Sequence, residues 1–188
     1  CKLAEEDDEN DYFFIIDEIN RGNLSKIFGE LFMLIEKDKR GIELQLLYSD
    51  ENFSVPANVY IIGMMNTADR SLAMLDYALR RRFSFFTMKP GFNAPGFQAY
   101  QDSLKSDDFN KLIACVKQLN SKIAEDISLG EGFCIGHSYF CSLTPETANT
   151  QTLSSIVEYE LIPLLKEYWF DEPANVIDWG DRLRSAVK

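Results

Sequence analysis

Two neighbouring carboxylates, Asp17 and Glu18, directly follow a run of five apolar residues at positions 12–16, YFFII. A continuous apolar run of this length is typical of a strand buried on both faces of a parallel sheet. Ligands of such sheets collect at the carboxyl ends of the strands. A carboxylate there can hold Mg2+ beside phosphate groups, and its neighbour can orient or deprotonate an attacking water. The alternative is a solvated acidic turn that ends a core strand.

Two further signals follow in the chain. A second apolar run at residues 59–65 ends in Asn66, and Asp69 and Arg70 come shortly after it. Three arginines, Arg80 to Arg82, then precede residues 83–86, which we predict to form a third short strand. The alternatives are a turn-forming Asn66, a solvated ion pair at Asp69 and Arg70, and a helix end that carries cations.

Composition restricts the class of protein. The chain has 188 residues and a net charge of −11, which argues against a nonspecific nucleic-acid surface because such surfaces need clustered Lys and Arg. No apolar run is long enough to cross a membrane, and the N-terminal residues show no secretory signal pattern. The four cysteines form no CxxC pair, so zinc and redox motifs are unsupported. We therefore expect reduced thiols and a cytoplasmic protein.

The elements that must position these residues can be predicted from periodicity. Residues 1–11 are polar and predict a loop. Apolar residues at helical spacing predict one helix from an Asn23 cap to a Gly41 stop. Alternation at residues 42–46, a polar turn and residues 53–55 predict a β-hairpin. Ser71 is predicted to cap a further helix, whose inward residues are Leu72, Leu75 and Leu79.

The second half of the chain reads as helical. Prolines and glycines at residues 90–96 predict a linker. One amphipathic stripe follows, formed by Phe109, Leu112, Ile113, Val116, Leu119 and Ile123. Thr144 and Pro145 are predicted to open another helix, which Pro163 should kink or divide. A last short helix is predicted over residues 176–186.

Three strand-end signals in this order resemble the Walker B, sensor 1 and arginine-finger motifs of the AAA+ ATPases. The resemblance is closer to the McrB family, the GTPase subunits of McrBC methylcytosine-specific restriction systems. It rests on three stretches: IIDEINRGNLSKIFGEL, NVYIIGMMNTADRSLAMLDYALRRRFSF and GFCIGHSYF. It covers nearly all of the chain from Tyr12 onward, and MNTADRS is its most specific part.

The resemblance implies an α/β fold: the C-terminal half of an AAA+ (P-loop NTPase) core with a β-hairpin insertion, followed by an all-helical lid subdomain. The core would occupy residues 1–90 and the lid residues 91–188. No GxxxxGK[ST] sequence, the Walker A phosphate loop, occurs in the chain. In the family this loop and a separate DNA-binding domain precede Walker B, so we expect a truncated motor domain.

The resemblance also assigns roles to residues. Asp17 would support Mg2+ through water with Glu18 beside it, Glu18 would position the hydrolytic water, and Asn66 would sense the γ-phosphate. Arg81 and Arg82 would reach a neighbouring subunit. The nucleotide-binding set would further include Asn20, Asp69, Arg70 and His137. His137 falls near sensor 2 of the lid, although a satisfied structural histidine is an equal alternative. The usual sensor-2 arginine is not identifiable.

The implied function is that of a GTP- and Mg2+-dependent motor that forms a ring, expected to be hexameric. It would act with an McrC-like endonuclease subunit, on DNA held by an N-terminal domain that this chain lacks. One alternative is an ATP-hydrolysing remodelling ATPase of the MoxR or dynein-like branch. Another is a noncatalytic interaction fragment, which the missing phosphate loop favours for the isolated chain.

Overall fold

The computed structural model describes residues 1–47, 49–66, 68 and 80–188, and for Leu24 and Ser25 it describes the backbone alone. The chain divides into two compact units, Cys1–Phe86 and Thr87–Lys188. The first unit contains the described strands, and the second is helical.

A pair of parallel strands organises the first unit. Strand β1 (Tyr12–Ile16) pairs with strand β4 (Val59–Gly63), in a register that runs from Tyr12 opposite Val59 to Ile16 opposite Gly63. Both apolar runs therefore form strands, as predicted, and the structure shows that they are neighbours in a parallel sheet. Short strands β2 (Leu44–Gln45) and β3 (Asn52–Phe53) form a separate antiparallel pair between them in the chain.

The predicted burial of these strands on both faces is wrong for this chain. Phe13 and Ile15 of β1 share a face with their partners Tyr60 and Ile62 of β4, and all four side chains are about half exposed. The rings of Phe13 and Tyr60 stack with centroids 5.5 Å apart. Within the first unit, therefore, one face of the sheet remains bare.

The opposite side of the sheet packs on a small core near Tyr12 and Val59, whereas Phe14 on the same side is 55% exposed. This core consists of four buried residues: Ala4, Leu34, Val55 and Val59. Four partly buried side chains pack against it, those of Tyr12, Leu31, Leu44 and Phe53. Contrary to the predicted loop, the N-terminal residues begin with a short helix α1 (Lys2–Glu5). The Asn58 side chain ties this region to β4, since its Nδ2 lies within 3.1 Å of three backbone carbonyl oxygens, those of Ala4, Asp7 and Asn10.

The single helix predicted between Asn23 and Gly41 is wrong. Helix α2 (Leu24–Phe28) is followed by a 3-10 turn (Gly29–Phe32) and later by a second one (Lys37–Lys39). Asn23 caps α2 as predicted, because its Oδ1 accepts from the Lys26 backbone N–H at 3.0 Å. Gly29 ends the α-helix, since its φ of +47° lies in the left-handed region.

The strand predicted at residues 83–86 is also wrong, because these residues form no strand. A strand needs a hydrogen-bonded neighbour, and no described segment supplies one here. Phe85 and Phe86 are exposed instead. The helix predicted to begin at Ser71, with its inward Leu72, Leu75 and Leu79, lies outside the described residues.

The second unit consists of helices around one apolar core. Its α-helices are α3 (Pro95–Leu104), α4 (Asp107–Glu125), α5 (Thr150–Ile156), α6 (Ile162–Tyr168) and α7 (Pro173–Ala186). A π-helical turn (Val157–Leu161) joins α5 to α6, and 3-10 turns occupy Glu131–Phe133 and His137–Phe140. Every residue of the predicted amphipathic stripe of α4 is buried in this core, which confirms that prediction.

Two helix boundaries in the second unit differ from the predicted ones. Thr144 and Pro145 lie in a turn region, and the helix opens at Thr150 with Asn149 as its cap. The last helix begins at Pro173, three residues before the predicted start. Pro163 divides the helix as predicted: it lacks an N–H for the α-helical pattern, and the π turn directly precedes the α6 segment that contains it.

The cysteines at positions 1, 115, 134 and 141 are all free thiols. No helix in the described ranges has the length and apolar character needed to cross a bilayer.

Candidate functional site

The register of β1 and β4 brings the predicted carboxylates and Asn66 to the same edge of the sheet. Beyond the last pair, Ile16 and Gly63, the Met64 N–H donates to the Ile16 carbonyl at 2.8 Å. The Ile19 N–H then donates to the Met64 carbonyl at 2.9 Å. Asp17 and Glu18 therefore lie within the segment that is hydrogen-bonded to Met64, two residues before Asn66.

The turn that carries the carboxylates has a strained residue. Glu18 has φ +51°, a left-handed conformation that is uncommon outside glycine and clusters at functional sites. Its backbone N–H donates to Asp17 Oδ1 at 2.9 Å, which stabilises the turn. Both carboxylates are exposed to solvent at this edge.

Ile19 locks this turn onto β4. Its side chain is 6% exposed and covers Gly63, where an added Cβ would lie only 2.5 Å from the Ile19 Cδ1. A larger residue at position 63 would therefore force the Ile19 side chain to shift. The two strand ends are held together by packing as well as by hydrogen bonds.

Glu18 has a cationic partner that sequence reasoning did not identify. The Arg21 Nη2 lies 3.1 Å from its Oε1, and both side chains are about half exposed. An ion pair with that exposure contributes little stability, about 0–1 kcal/mol. The pair therefore adds little to the stability of the fold, and it places a cation beside the Glu18 carboxylate. The three-residue spacing within one turn was the available signal.

Asn66 and Asn20 flank the carboxylates. The Asn66 Oδ1 accepts from the Ala68 backbone N–H at 3.0 Å, as the turn-forming interpretation predicts. Its amide nitrogen is a second polar group that this bond does not involve. Asn20 Oδ1 is buried and has no hydrogen-bond partner among the described residues. The nucleotide-binding roles of both residues stay predictions, and Asp69 and Arg70 lie outside the described residues.

The arginine cluster divides into exposed and anchored members. Arg80 and Arg81 are exposed, whereas the Arg82 side chain is 23% exposed. The Arg82 guanidinium forms an ion pair with Glu36 and lies 5.0 Å from the centroid of the Phe32 ring. Glu36 was missed at the sequence level, because nothing local connects it to a residue 46 positions away.

His137 makes its contacts within the second unit. Its Nδ1 accepts from the Gly91 backbone N–H at 2.9 Å, and its ring is edge-on to Phe97 at 5.7 Å and to Phe92 at 6.2 Å. A Cβ at Gly91 would lie 2.9 Å from the His137 ring, so this position needs glycine. These contacts are those of a satisfied structural histidine, and a nucleotide-binding role stays a prediction.

The carboxylates at this edge of the sheet suit Mg2+ better than a metal whose ligands all come from the protein. No group of three or more possible ligands occurs among the residues that the structure describes. Mg2+ usually keeps several waters and uses one or two carboxylates together with substrate phosphates. The exposed pair of Asp17 and Glu18 fits that pattern.

Two family models match the chain in adjacent regions. The AAA domain of the dynein-related subfamily matches residues 4–83, and the alpha-helical lid domain of McrB matches residues 111–177. Together with the parallel strands, of which β1 is followed by Asp17 and Glu18 and β4 by Asn66, these matches define a chain of the AAA+ class with an McrB-type lid.

Two curated proteins are similar to it. The "Type IV methyl-directed restriction enzyme EcoKMcrB subunit" of Escherichia coli (strain K12) is 51% identical over 193 residues, which cover 97% of this chain and 42% of that protein. The "Type II restriction enzyme BsuMI component YdiS" of Bacillus subtilis (strain 168) is 29% identical over 143 residues, which cover 65% of this chain and 42% of that protein. The chain belongs to the McrB family. It spans less than half the length of these relatives.

Proposed function

We propose that this chain is the C-terminal part of a GTP-hydrolysing motor subunit of a modification-dependent DNA restriction endonuclease. Residues 1–90 would form part of the AAA+ core, with β2 and β3 as a hairpin insertion, and residues 91–188 would form its lid. The E. coli relative is named as a subunit of a methyl-directed restriction enzyme, and the B. subtilis relative as a component of another restriction enzyme.

One observation carries the proposal. Two parallel strands end at the same edge of the sheet. The first is followed by Asp17 and Glu18, and the second is followed, after two methionines, by Asn66. This is the arrangement that phosphoryl transfer to water needs, because carboxylates and a polar sensor must converge on one reacting group.

The roles follow from the side chains. Asp17 and Glu18 would hold Mg2+ and its waters, and Mg2+, when bound, supplies charge that neutralises the phosphate oxygens. Glu18, oriented by Arg21, accepts a proton from the attacking water or aligns that water. Asn66 donates a hydrogen bond from its amide nitrogen toward the same water or the terminal phosphate. The phosphate-cradling loop would come from the remainder of the parent protein.

A second subunit would complete the site. Arg81 is exposed, whereas Arg82 is held by Glu36. Arg81 is therefore the better candidate for stabilising transition-state charge in the site of a neighbouring subunit. This requires a ring of copies, proposed to be hexameric. In the parent protein an endonuclease subunit and a DNA-binding domain would add the nuclease and DNA-recognition functions.

Nucleotide preference tests the proposal. Phosphate release by the full-length parent should be faster with GTP than with ATP under Mg2+, and EDTA should abolish it. Faster hydrolysis of ATP would instead support the remodelling-ATPase interpretation. No hydrolysis of either nucleotide would support the noncatalytic interpretation.

Subunit mixing tests the shared site. Arg81→Ala subunits and Glu18→Gln subunits should each be inactive alone, because each lacks one half of every site. Mixed rings should recover part of the activity, since some interfaces pair an intact Arg81 with an intact Glu18. If no mixing ratio recovers turnover, the trans-acting role of Arg81 is wrong.

A further inference from the structure

We propose that Arg82 is a positioning residue, which anchors the arginine segment to its own subunit so that Arg81 is presented outward. The inference rests on the proposed function, because it concerns the arginine that completes the neighbouring site. It assigns different tasks to two adjacent arginines that the sequence cannot distinguish.

The first observation is the pair of contacts that holds Arg82. Its guanidinium is paired with the Glu36 carboxylate, and it also lies over the Phe32 ring at 5.0 Å. Both side chains of the ion pair are partly buried, with exposed fractions of 23% for Arg82 and 33% for Glu36. A planar guanidinium held by a carboxylate and an aromatic face has a defined orientation.

The second observation is what lies next to this anchor. Phe32 and Ile19 form the centre of a small core, against which Ile16, Phe28 and Phe83 pack. Ile19 directly follows Glu18, and Phe83 directly follows Arg82. The turn that carries Asp17 and Glu18 and the segment that carries Arg81 therefore pack against the same small core.

The consequence is a mechanical connection within each subunit. Because one core supports both segments, a displacement of the Asp17–Glu18 turn also displaces the anchor of Arg81. Arg81 itself, exposed beside the anchored residue, keeps its guanidinium available for the next subunit.

Glu36→Gln in the full-length parent tests the anchoring contact of Arg82 without substituting any arginine. The variant keeps the size of the side chain and removes the charge that pairs with Arg82. We expect kcat to fall by about tenfold to 100-fold, since a catalytic group displaced by about 1 Å costs on the order of 100-fold. KM should stay within about twofold, because Glu36 does not contact nucleotide in this assignment. A kcat equal to that of the wild type would overturn the proposal.

A double-mutant cycle distinguishes positioning from direct contact. If Arg82 acts through Glu36, the double variant Arg82→Gln, Glu36→Gln should lose no more kcat than Arg82→Gln alone. Losses that multiply would show that Arg82 acts on the nucleotide itself, and would overturn the proposal.

A matched control and a reference variant complete the design. Glu131→Gln removes an exposed ion pair with Lys89 in the second unit and should leave kcat unchanged. Arg81→Ala should lower kcat by about 1000-fold or more. A wild-type parent without GTPase activity would refute the proposed function. An active parent in which Glu36→Gln changes nothing would refute only the anchor.

Discussion

The bare apolar face of the sheet predicts that the isolated chain associates with itself. Its four members, Phe13, Ile15, Tyr60 and Ile62, have exposed fractions of 60%, 59%, 48% and 44%. They form a contiguous surface, since Phe13 pairs with Tyr60 and Ile15 with Ile62. Contiguous apolar patches of this kind mark interaction surfaces, and they favour association when nothing covers them.

The size of the effect follows from these fractions. Full burial of such a side chain contributes about 1.5–3 kcal/mol, so four half-exposed ones contribute about 3–6 kcal/mol per copy. Two copies packed face to face would gain about 6–12 kcal/mol, against an association cost of about 4–15 kcal/mol. The favourable end of these two ranges leaves a net gain of about 8 kcal/mol, which sets the tightest expected dissociation constant at about 1 μM.

Sedimentation velocity between about 5 μM and 1 mM should therefore show a mass that rises with concentration. Ile15→Lys should weaken association at least about tenfold, because it places a charge on the face in both copies. Ile127→Lys, at a fully exposed position of the second unit, is the matched control and should change nothing. A monomeric mass throughout, with cooperative unfolding, would refute the reasoning.

Three further predictions concern the helical unit and the isolated chain. Hydrogen bonds from Ser128 and Trp169 lower the pKa of Asp126 from 3.8 to about 2, so their stabilisation is present above pH 3.8 and is lost as the pH falls toward 2. Tryptophan-monitored unfolding should show this loss in the wild type but not in Asp126→Asn. Phe109→Ala should lower the free energy of unfolding by about 3–5 kcal/mol, whereas the exposed Phe170→Ala should change it by less than about 0.5 kcal/mol in the same denaturant titration. The isolated chain, which contains no GxxxxGK[ST] sequence, should release no phosphate from GTP or ATP; steady release would contradict this.

Hydrophobic periodicity correctly predicted the elements whose own sequence contains a clear buried face. The stripe of α4 repeats over about four turns, and each of its residues is buried. The apolar runs at residues 12–16 and 59–65 predicted two strands, and the structure pairs these strands in parallel as β1 and β4. Local signals also identified the Asn23 cap and the break before Pro163.

The wrong predictions have physical causes that the local pattern does not contain. Gly29 takes a left-handed φ and ends a helix that apolar spacing alone would continue. Residues 83–86 have strand-like composition, but a strand forms only with a hydrogen-bonded neighbour. The burial of β1 on both faces was expected from its composition, yet burial depends on what packs against the strand.

The candidate site was predictable in part. The motif residues Asp17, Glu18 and Asn66 were identified from their positions after apolar runs, and the register brings them to one edge. The partners of these residues were not, because pairs such as Arg82 with Glu36 depend on the tertiary fold. Asp69 and Arg70 lie outside the described residues, so their predicted roles stay predictions.

Glu18→Gln in the full-length parent tests the central claim most directly, with nucleotide binding and phosphate release measured on the same preparation. The substitution keeps the size of the side chain and removes the charge that activates water. We predict a GTP dissociation constant within about threefold of the wild type and a kcat lower by about 100-fold or more. Asp8→Asn, an acidic residue outside the site, should leave both unchanged. A Glu18→Gln variant that hydrolyses GTP at the wild-type rate would contradict the claim that this sheet edge is the site of hydrolysis.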